Sequence, residues 1–414
     1  MAPPPPVPSA RFAIVTDIHL YDPSLDIPGP AYRLSLLEGP KLLAESRQIF
    51  EAASTVIAAE RPDFLLVCGD LTRDGELASH RLAAGMLARL RQEGIRVYVV
   101  PGNHDVANPH AARSVGDRLE RVDTVTAEEF ASLYADCGYR DAIRRDPGSL
   151  SYVAEPAPRL WLLGLDACRY RENGASPVTA GRLSAGTIAW IREVLSDARA
   201  RGVFVIAFLH HGIVEHFRGE KTWLGAYVVD HYDSVSELLA RGGVRVAFTG
   251  HGHAQDITLR TFPGPGSRDF IYDVETGATV SWPSPWRMVE IEPDGVMRIR
   301  SRFVAGIVDG PADFPGFAER RLRSMLQDTA VSTLQKMLVS DATARSLGAQ
   351  IASAGLAFYR GDEPSPWKPF DLSGADPLGA LFAGAATSTL RDLQIDLPPA
   401  DNDVDLPLAS VPGF

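Results

Sequence analysis

The sequence predicts an α/β protein with a mixed, partly parallel sheet core and a smaller C-terminal helical domain. Three observations predict it. Between residues 12 and 102, apolar runs alternate with amphipathic helical patterns, which reads as β-α-β-α-β with parallel strands and right-handed crossovers. Between residues 256 and 303 the runs shorten and turns separate them, as in an antiparallel closing set. From residue 307 onward the periodicity is helical.

Taken in order, residues 1–10 are proline-rich and read as an extended lead-in. Residues 12–16 are the first strand. The polar loop at 21–30, beside Asp17 and His19, is a candidate rim. Residues 40–60 read as one amphipathic helix, with Leu42, Leu43, Ile49, Phe50, Ala53, Val56 and Ile57 at helical spacing. The second strand is 64–68. A helix at 76–93 comes next, stopped by Gly94, and then a strand at 97–100, broken by Pro101-Gly102. A helix is expected at 127–136, strands at 150–153 and 160–166, and a helix at 184–200. The strand at 203–209 leads into an insertion, 212–232, whose length beside a site is a mark of function. A short helix at 234–240 and a strand at 244–249 precede the four closing strands, 257–262, 270–275, 287–292 and 297–303. Helices at 318–338, 342–358 and 378–393 make residues 306–414 a separate helical domain, and 397–414 a surface tail. Residues 11–305 are then the main domain.

The chain has 414 residues, 45% apolar and 22% charged, which is ordinary for a globular protein with one large core and an appended one. Lys plus Arg is 41 against 52 for Asp plus Glu, a net charge of −11. An acidic surface argues against stable nucleic-acid binding through phosphate neutralisation. It leaves room for a small anionic substrate, because a bound metal inverts the local field. Three scattered cysteines (Cys68, Cys137, Cys168) read as free thiols in a reducing compartment. No apolar run reaches the length of a membrane span, and residues 1–10 carry neither a basic start nor an apolar signal core. A cytoplasmic protein with no membrane partner is expected, and a homo-oligomer is left open.

Five strand-like runs end in polar residues of one kind. They lead into Asp17-Ile18-His19, Gly69-Asp70, Gly102-Asn103-His104-Asp105, His210-His211 and Gly250-His251-Gly252-His253. In open α/β sheets ligands bind at the carboxyl ends of strands, so these side chains should converge. Asp-X-His and His-X-His have period two, which in an extended segment puts both side chains on one face. Carboxylate, amide and imidazole with no thiolate suits manganese, iron, zinc, nickel or cobalt. Seven candidate ligands (Asp17, His19, Asp70, Asn103, His210, His251, His253) are too many for one tetrahedral ion and suit two. Asp70 is the expected bridge, with the ions about 3.5–4 Å apart.

In this order the blocks resemble the calcineurin-like metallophosphoesterase family, over roughly the first 305 residues. The resemblance implies a four-layer α-β-β-α sandwich with two divalent metals. It assigns Asp17, His19, Asp70 and His253 to one metal, and Asp70, Asn103, His210 and His251 to the other. His104 would face the leaving-group oxygen without ligating, and Asp105 would orient it. No tyrosine stands shortly after Gly69-Asp70, where the chain reads Leu71-Thr72-Arg73, so the purple acid phosphatase branch is disfavoured. The Asp-X-His opening looks like the class III cyclic-nucleotide phosphodiesterases and related glycerophosphodiesterases, some with a C-terminal helical domain. Residues 276–291 are similar to the stretch after the last histidine block in that branch.

The expected activity is hydrolysis of a small organic phosphodiester by a water activated between two metals and attacking phosphorus in line. His104 would serve the departing alkoxide. A phosphomonoesterase or nuclease is the alternative. Among the remaining histidines, His80 and His110 read as solvated, His211 as locally packed, and His216 and His231 as candidates for substrate contact. Asp166 reads as structural, and Trp223, Trp282 and Trp286 as core.

Overall fold

The protein is described by a computed structural model covering residues 7–36, 39–264, 267–361, 363 and 368–410. Part of the expected lead-in (1–6) and the last residues of the expected tail (411–414) lie outside the described residues. The strands are β1 (Ala10–Val15), β2 (Phe64–Cys68), β3 (Arg96–Val100), β4 (Ala112–Val115), β5 (Arg118–Arg121), β6 (Arg144–Arg145), β7 (Tyr152–Ala157) and β8 (Leu160–Leu165). They continue as β9 (Phe204–Leu209), β10 (Val246–Thr249), β11 (Asp256–Gly264), β12 (Ser267–Glu275), β13 (Pro285–Ile291), β14 (Val296–Phe303) and β15 (Asp403–Pro407). The helices are α1 (Pro30–Ser35), α2 (Ser46–Glu60), α3 (Leu77–Gln92), α4 (Ala127–Leu133), α5 (Ala185–Arg201), α6 (Glu220–Trp223), α7 (Tyr232–Gly242), α8 (Phe314–Lys336), α9 (Asp341–Arg360) and α10 (Pro377–Asp392).

Two sheets form the centre. One runs β15-β14-β13-β1-β2-β3, and the other β11-β12-β10-β9-β8-β7-β6. Strands β1, β2 and β3 are parallel, as are β8, β9, β10 and β12. The β9 sequence Phe-Val-Ile-Ala-Phe-Leu explains how the sheets stack. Phe204, Ile206 and Phe208 enter the core shared with the first sheet, while Val205, Ala207 and Leu209 enter a second core. Both faces are therefore buried, and the strand reads as a continuous apolar run. The shared core includes the Phe12–Phe248 edge contact, centroids 5.5 Å apart, which joins β1 to β10. On the outer faces, α2 buries Ile49, Phe50, Ala53 and Ile57 against the first sheet, and α5 buries Ile191, Val194 and Leu195 against the second. Each large apolar side chain among them contributes about 1.5–3 kcal/mol. Helix, sheet, sheet and helix make the four layers.

Three local expectations change. The helix expected from residue 40 begins at Ser46. Leu42 and Leu43 are buried but precede it, because Leu42 N–H donates to Val280 O (2.8 Å) and ties this stretch to a distant turn. Their apolar spacing recorded burial, not helix. The four closing strands do not form one set. The β11–β12 hairpin extends the second sheet, with β12 parallel to β10, while β13 and β14 continue the first beside β1. The expected tail is an edge strand, since β15 pairs antiparallel with β14 and buries Leu406. Of the C-terminal helices, the α8 residues Phe314, Ala318 and Leu322 join the main core. Leu334, Val339, Ala344, Leu347 and Ala383 make a small core of their own. Among the described residues no helix is long and apolar enough to cross a membrane.

Candidate metal centre

The loops leaving β1, β2, β3, β9 and β10 at their carboxyl ends meet at one point. Backbone bonds splice them: Asp17 N–H donates to Gly69 O (3.1 Å), His19 N–H to Asp70 O (3.0 Å) and Gly250 N–H to His210 O (2.9 Å). The period-two expectation for Asp17-X-His19 and His251-X-His253 does not hold. Asp17, His19, Asp70, His251 and His253 all have φ between 37° and 75°, in the left-handed region. Side chains converge here through turned backbone, not through an extended strand end. Residues other than glycine occupy this region at some energetic expense, and such residues gather at functional sites. Gly102 is needed for another reason, since a Cβ there would collide with Asp70 Oδ1.

The structure brings all seven predicted ligands together. Asp17 Oδ1 lies 3.1 Å from His253 Nε2 and 3.6 Å from His19 Nε2. Asp70 Oδ2 lies 3.4 Å from His19 Nε2 and 3.4 Å from His210 Nε2. His210 Nε2 is 3.1 Å from Asn103 Oδ1, and His251 completes a group with Asp70 and His210. Asp70 stands between the two halves. Donor atoms about 2.1 Å from one ion sit roughly 3.0–3.5 Å apart in tetrahedral or octahedral shells, which is the spacing seen here.

Hydrogen bonding supplies an independent test of fit. Carbonyl oxygens only accept, so each imidazole nitrogen bonded to one carries the proton. His19 Nδ1–H donates to Thr72 O (3.2 Å), His210 Nδ1–H to Cys68 O (2.9 Å) and His251 Nε2–H to Ala226 O (3.2 Å). The second nitrogen of each ring then carries a lone pair, as metal-ligating histidines do. For His19 and His210 that lone pair faces the carboxylates. Asp17 Oδ1 and His19 Nε2 are buried without any hydrogen-bond partner. Acceptors aimed at acceptors in a buried site need a cation between them. The residues fit two divalent ions.

The electrostatics show how the carboxylates act on these rings when no cation separates them. Burial would raise the Asp17 and Asp70 carboxyls, but surrounding histidines hold both well below the usual range. Burial would lower His210, yet Asp70 and Asp17 outweigh it and hold the ring up at about 9. Burial pushes His19 down to about 3, with Lys41 adding to it.

His104 lies at the edge of the ligand groups, its Nε2 3.9 Å from Asp70 Oδ2 and its side chain 23% exposed. Sequence reasoning missed its two partners. Asp74 Oδ1 accepts from His104 Nδ1 at 2.9 Å, and Lys41 Nζ lies 3.3 Å from Nε2. Arg73 Nε sits 3.4 Å from the other Asp74 oxygen, and its guanidinium stacks over Tyr21 at 5.0 Å. The signal for Asp74 was available, as an acidic residue four positions beyond Asp70. Lys41 carried none. Asp105 does not orient His104. Its oxygens accept from Leu71 N–H (3.1 Å), Thr72 N–H (3.0 Å), Thr72 Oγ1 (2.9 Å) and Gly102 N–H (2.8 Å), so it braces the turn behind Asp70. Burial, with Asp70 nearby, pushes the Asp105 carboxyl up to about 6.

His80 is not solvated. It is fully buried between Tyr134 Oη (2.8 Å) and Asp105 O (2.8 Å), and supports that same turn. His110 and His231 are exposed. His211 is buried and bonds Thr179 O (2.9 Å). His216 does not face the site, being buried against Asp256 (2.7 Å), Glu275 (3.4 Å) and Asp273 (3.5 Å). Asp166 is structural, accepting from Leu150 N–H, Cys168 N–H and Tyr170 Oη, each at 3.0 Å. Trp282 and Trp286 are core, whereas Trp223 is 61% exposed. The insertion reaches the centre through Tyr227, whose ring lies 4.7 Å from that of His251. Residues 21–30 form the short turn leading to α1.

This fold and this constellation define a metal-dependent hydrolase of phosphoric esters. The family model for calcineurin-like phosphoesterases matches residues 10–255, and the chain belongs to that family. A protein described as a probable cyclic nucleotide phosphodiesterase, from Pseudoalteromonas sp. (strain SM9913), is 29% identical over 120 residues. That match covers 29% of this chain and 40% of that protein's length. A dimetal phosphatase from Danio rerio is similar in structure at 15% identity and a TM-score of 0.47, over 72% of this chain and 96% of its own. A purple acid phosphatase from yellow lupin (Lupinus luteus) is similar at 11% identity and a TM-score of 0.45, over 73% and 52%.

Proposed function

We propose that this protein hydrolyses small organic phosphodiesters, with cyclic nucleotides or glycerophosphodiesters as the substrate class. The observation that carries the reading is the run of metal-capable groups Asp17-His19-His253, His19-Asp70-His104 and Asp70-His210-His251, which Asp70 and His19 join, with His104 their partly exposed member. Asp17, His19, Asp70 and His253 would hold one divalent ion, and Asp70, Asn103, His210 and His251 the other. Manganese, iron, zinc, nickel and cobalt all suit these donors. When bound, such a pair lowers the pKa of a water and neutralises charge on the phosphoryl oxygens.

The chain's own residues do the rest. The carbonyls of Thr72, Cys68 and Ala226 fix three imidazole tautomers, so the site is aimed before substrate arrives. His104 stands where a proton or hydrogen bond can reach the leaving oxygen, and Asp74 stabilises that ring when it is charged. The net charge of −11 supports a small substrate over long nucleic acid. The probable cyclic nucleotide phosphodiesterase among the relatives supports the diester reading over its matched stretch. The free thiols of Cys68, Cys137 and Cys168 support a cytoplasmic location.

The test compares bis(p-nitrophenyl) phosphate with p-nitrophenyl phosphate, after stripping metal and adding back manganese. Preference for the diester, restored by manganese, is expected. Preference for the monoester would replace the reading with a phosphomonoesterase.

A further inference from the structure

We infer that Lys41 is an anion-binding residue of the site, whose ammonium contacts a charged phosphoryl oxygen on the leaving-group side. The inference rests on the phosphoester-hydrolase reading above and adds a residue outside all five sequence blocks. Lys41 precedes α2 and carries its cation to within 3.3 Å of His104 Nε2. An ammonium has three donors and no acceptor. In the neutral ring, with Nδ1–H of His104 donating to Asp74, Nε2 presents a lone pair, and one Lys41 donor meets it. Among the described residues no carboxylate forms an ion pair with Lys41. Burial lowers the pKa of the Lys41 ammonium, and Asp70, Asp74 and Asp17 act against that electrostatically from further away. Two donors thus remain on a half-buried cation at the open edge of the site. An anionic oxygen is a stronger acceptor for an ammonium than a neutral imidazole nitrogen, so a phosphoryl group arriving beside His104 takes those donors.

The placement is built into the fold. Pro40 O accepts from Ser281 Oγ (3.2 Å), and Leu42 N–H donates to Val280 O (2.8 Å), so both neighbours of Lys41 are fixed. The same turn bonds back to the first ligand loop, Thr279 N–H donating to Thr16 O (3.1 Å) and Val280 N–H to Asp17 O (3.4 Å). Residues 279–281 therefore hold Asp17 and Lys41 at a set separation. This gives part of the stretch 276–291 a role: residues 279–281 space Asp17 and Lys41 at the site.

The experiment uses the full chain loaded with manganese, as wild type, Lys41→Met and Lys41→Arg. Three quantities are read: metal content, affinity for inorganic phosphate by calorimetry, and kcat for bis(p-nitrophenyl) phosphate against diphenyl phosphate. K41M should keep its metal, because removing a nearby positive charge cannot weaken cation binding. It should lose about tenfold or more in phosphate affinity, and K41R should recover most of it. The kcat loss in K41M should be of similar size for both esters, because the charged oxygen that Lys41 contacts is present whichever phenolate leaves. Unchanged phosphate affinity in metal-loaded K41M would overturn the inference. So would loss of metal, which marks a purely structural lysine, or a kcat loss confined to diphenyl phosphate, which marks a proton donor to the leaving group. Phosphate binding does not depend on which ester is turned over. A wild type that hydrolyses neither diester would therefore overturn the phosphodiesterase reading, while the calorimetry still decides Lys41.

Discussion

Replacing Asp74 with Asn isolates what a carboxylate does for His104. The bond from Nδ1 to Oδ1 is 2.9 Å long, and the Asp74 side chain is only 17% exposed. Burial would raise that carboxyl, but the His104 bond, with Lys41 and Arg73, holds it below its ordinary value, so the charge is present at neutral pH. A hydrogen bond to a charged group contributes about 1.5–3 kcal/mol net. Asn keeps an acceptor, so the ring stays aimed and only the charge is lost. The lower half of that range applies, which is roughly a 10- to 50-fold fall in kcat.

The assay is a double-mutant cycle on bis(p-nitrophenyl) phosphate with manganese-loaded protein, using Asp74→Asn, His104→Ala and the pair. If Asp74 acts through His104, His104→Ala shows the larger loss, metal content stays at the wild-type level, and adding Asp74→Asn changes nothing further. Full additivity of the two losses would refute the reasoning, because Asp74 would then act on something other than the imidazole.

Two other predictions concern the turn behind Asp70. His80 is fully buried, and burial holds its pKa down to about 4 from 6.5. A folded-state value below the unfolded one means the folded protein binds fewer protons, so the stability is present above pH 6.5 and is lost as pH falls toward 4. The loss approaches about 3 kcal/mol, and His80→Gln should flatten the melting temperature across that window relative to wild type. A parallel pH dependence in the two proteins would contradict it. Gly102→Ala places a Cβ against Asp70 Oδ1, so it should lower metal content by elemental analysis and destabilise the protein by about 1–3 kcal/mol. Wild-type metal content with an unchanged melting temperature would show that the turn relaxes at no expense.

The candidate ligands were legible because they come directly after apolar strands, so chain order and spatial order coincide. Their convergence comes by another route than the one expected. Period two implied extended backbone, whereas Asp17, His19, His251 and His253 have positive φ. Asp74 had a sequence signal that went unread, whereas Lys41 and His80 were not legible as partners of the His104 region. Each reaches it from another loop or helix, and nothing local distinguishes a lysine at position 41 from a solvated one. The same limit explains the tail, whose strand character depends on the open edge of β14. Hydrophobic periodicity reports burial well and geometry poorly, as Leu42 and Leu43 show.

The centre divides each of its groups between fold and function. Asp17 gives Oδ2 to Thr16 Oγ1 (2.6 Å) and to His251 N–H (3.0 Å), and leaves Oδ1 for the site. Asp70 gives Oδ1 to His104 N–H (2.9 Å) and leaves Oδ2. His19 and His210 give Nδ1 to carbonyls and leave Nε2. One atom of each residue stitches a loop to its neighbour, and the other is left for a cation. The left-handed backbone at Asp17, His19 and Asp70 is held by those stitches together with the two buried sheets. Such a site is aimed before metal or substrate arrives, so binding spends little on reorganising it. For the same reason, none of these four residues can be removed without loosening the loop that it stitches. Metal affinity and the melting temperature should therefore fall together in a variant at any of the four.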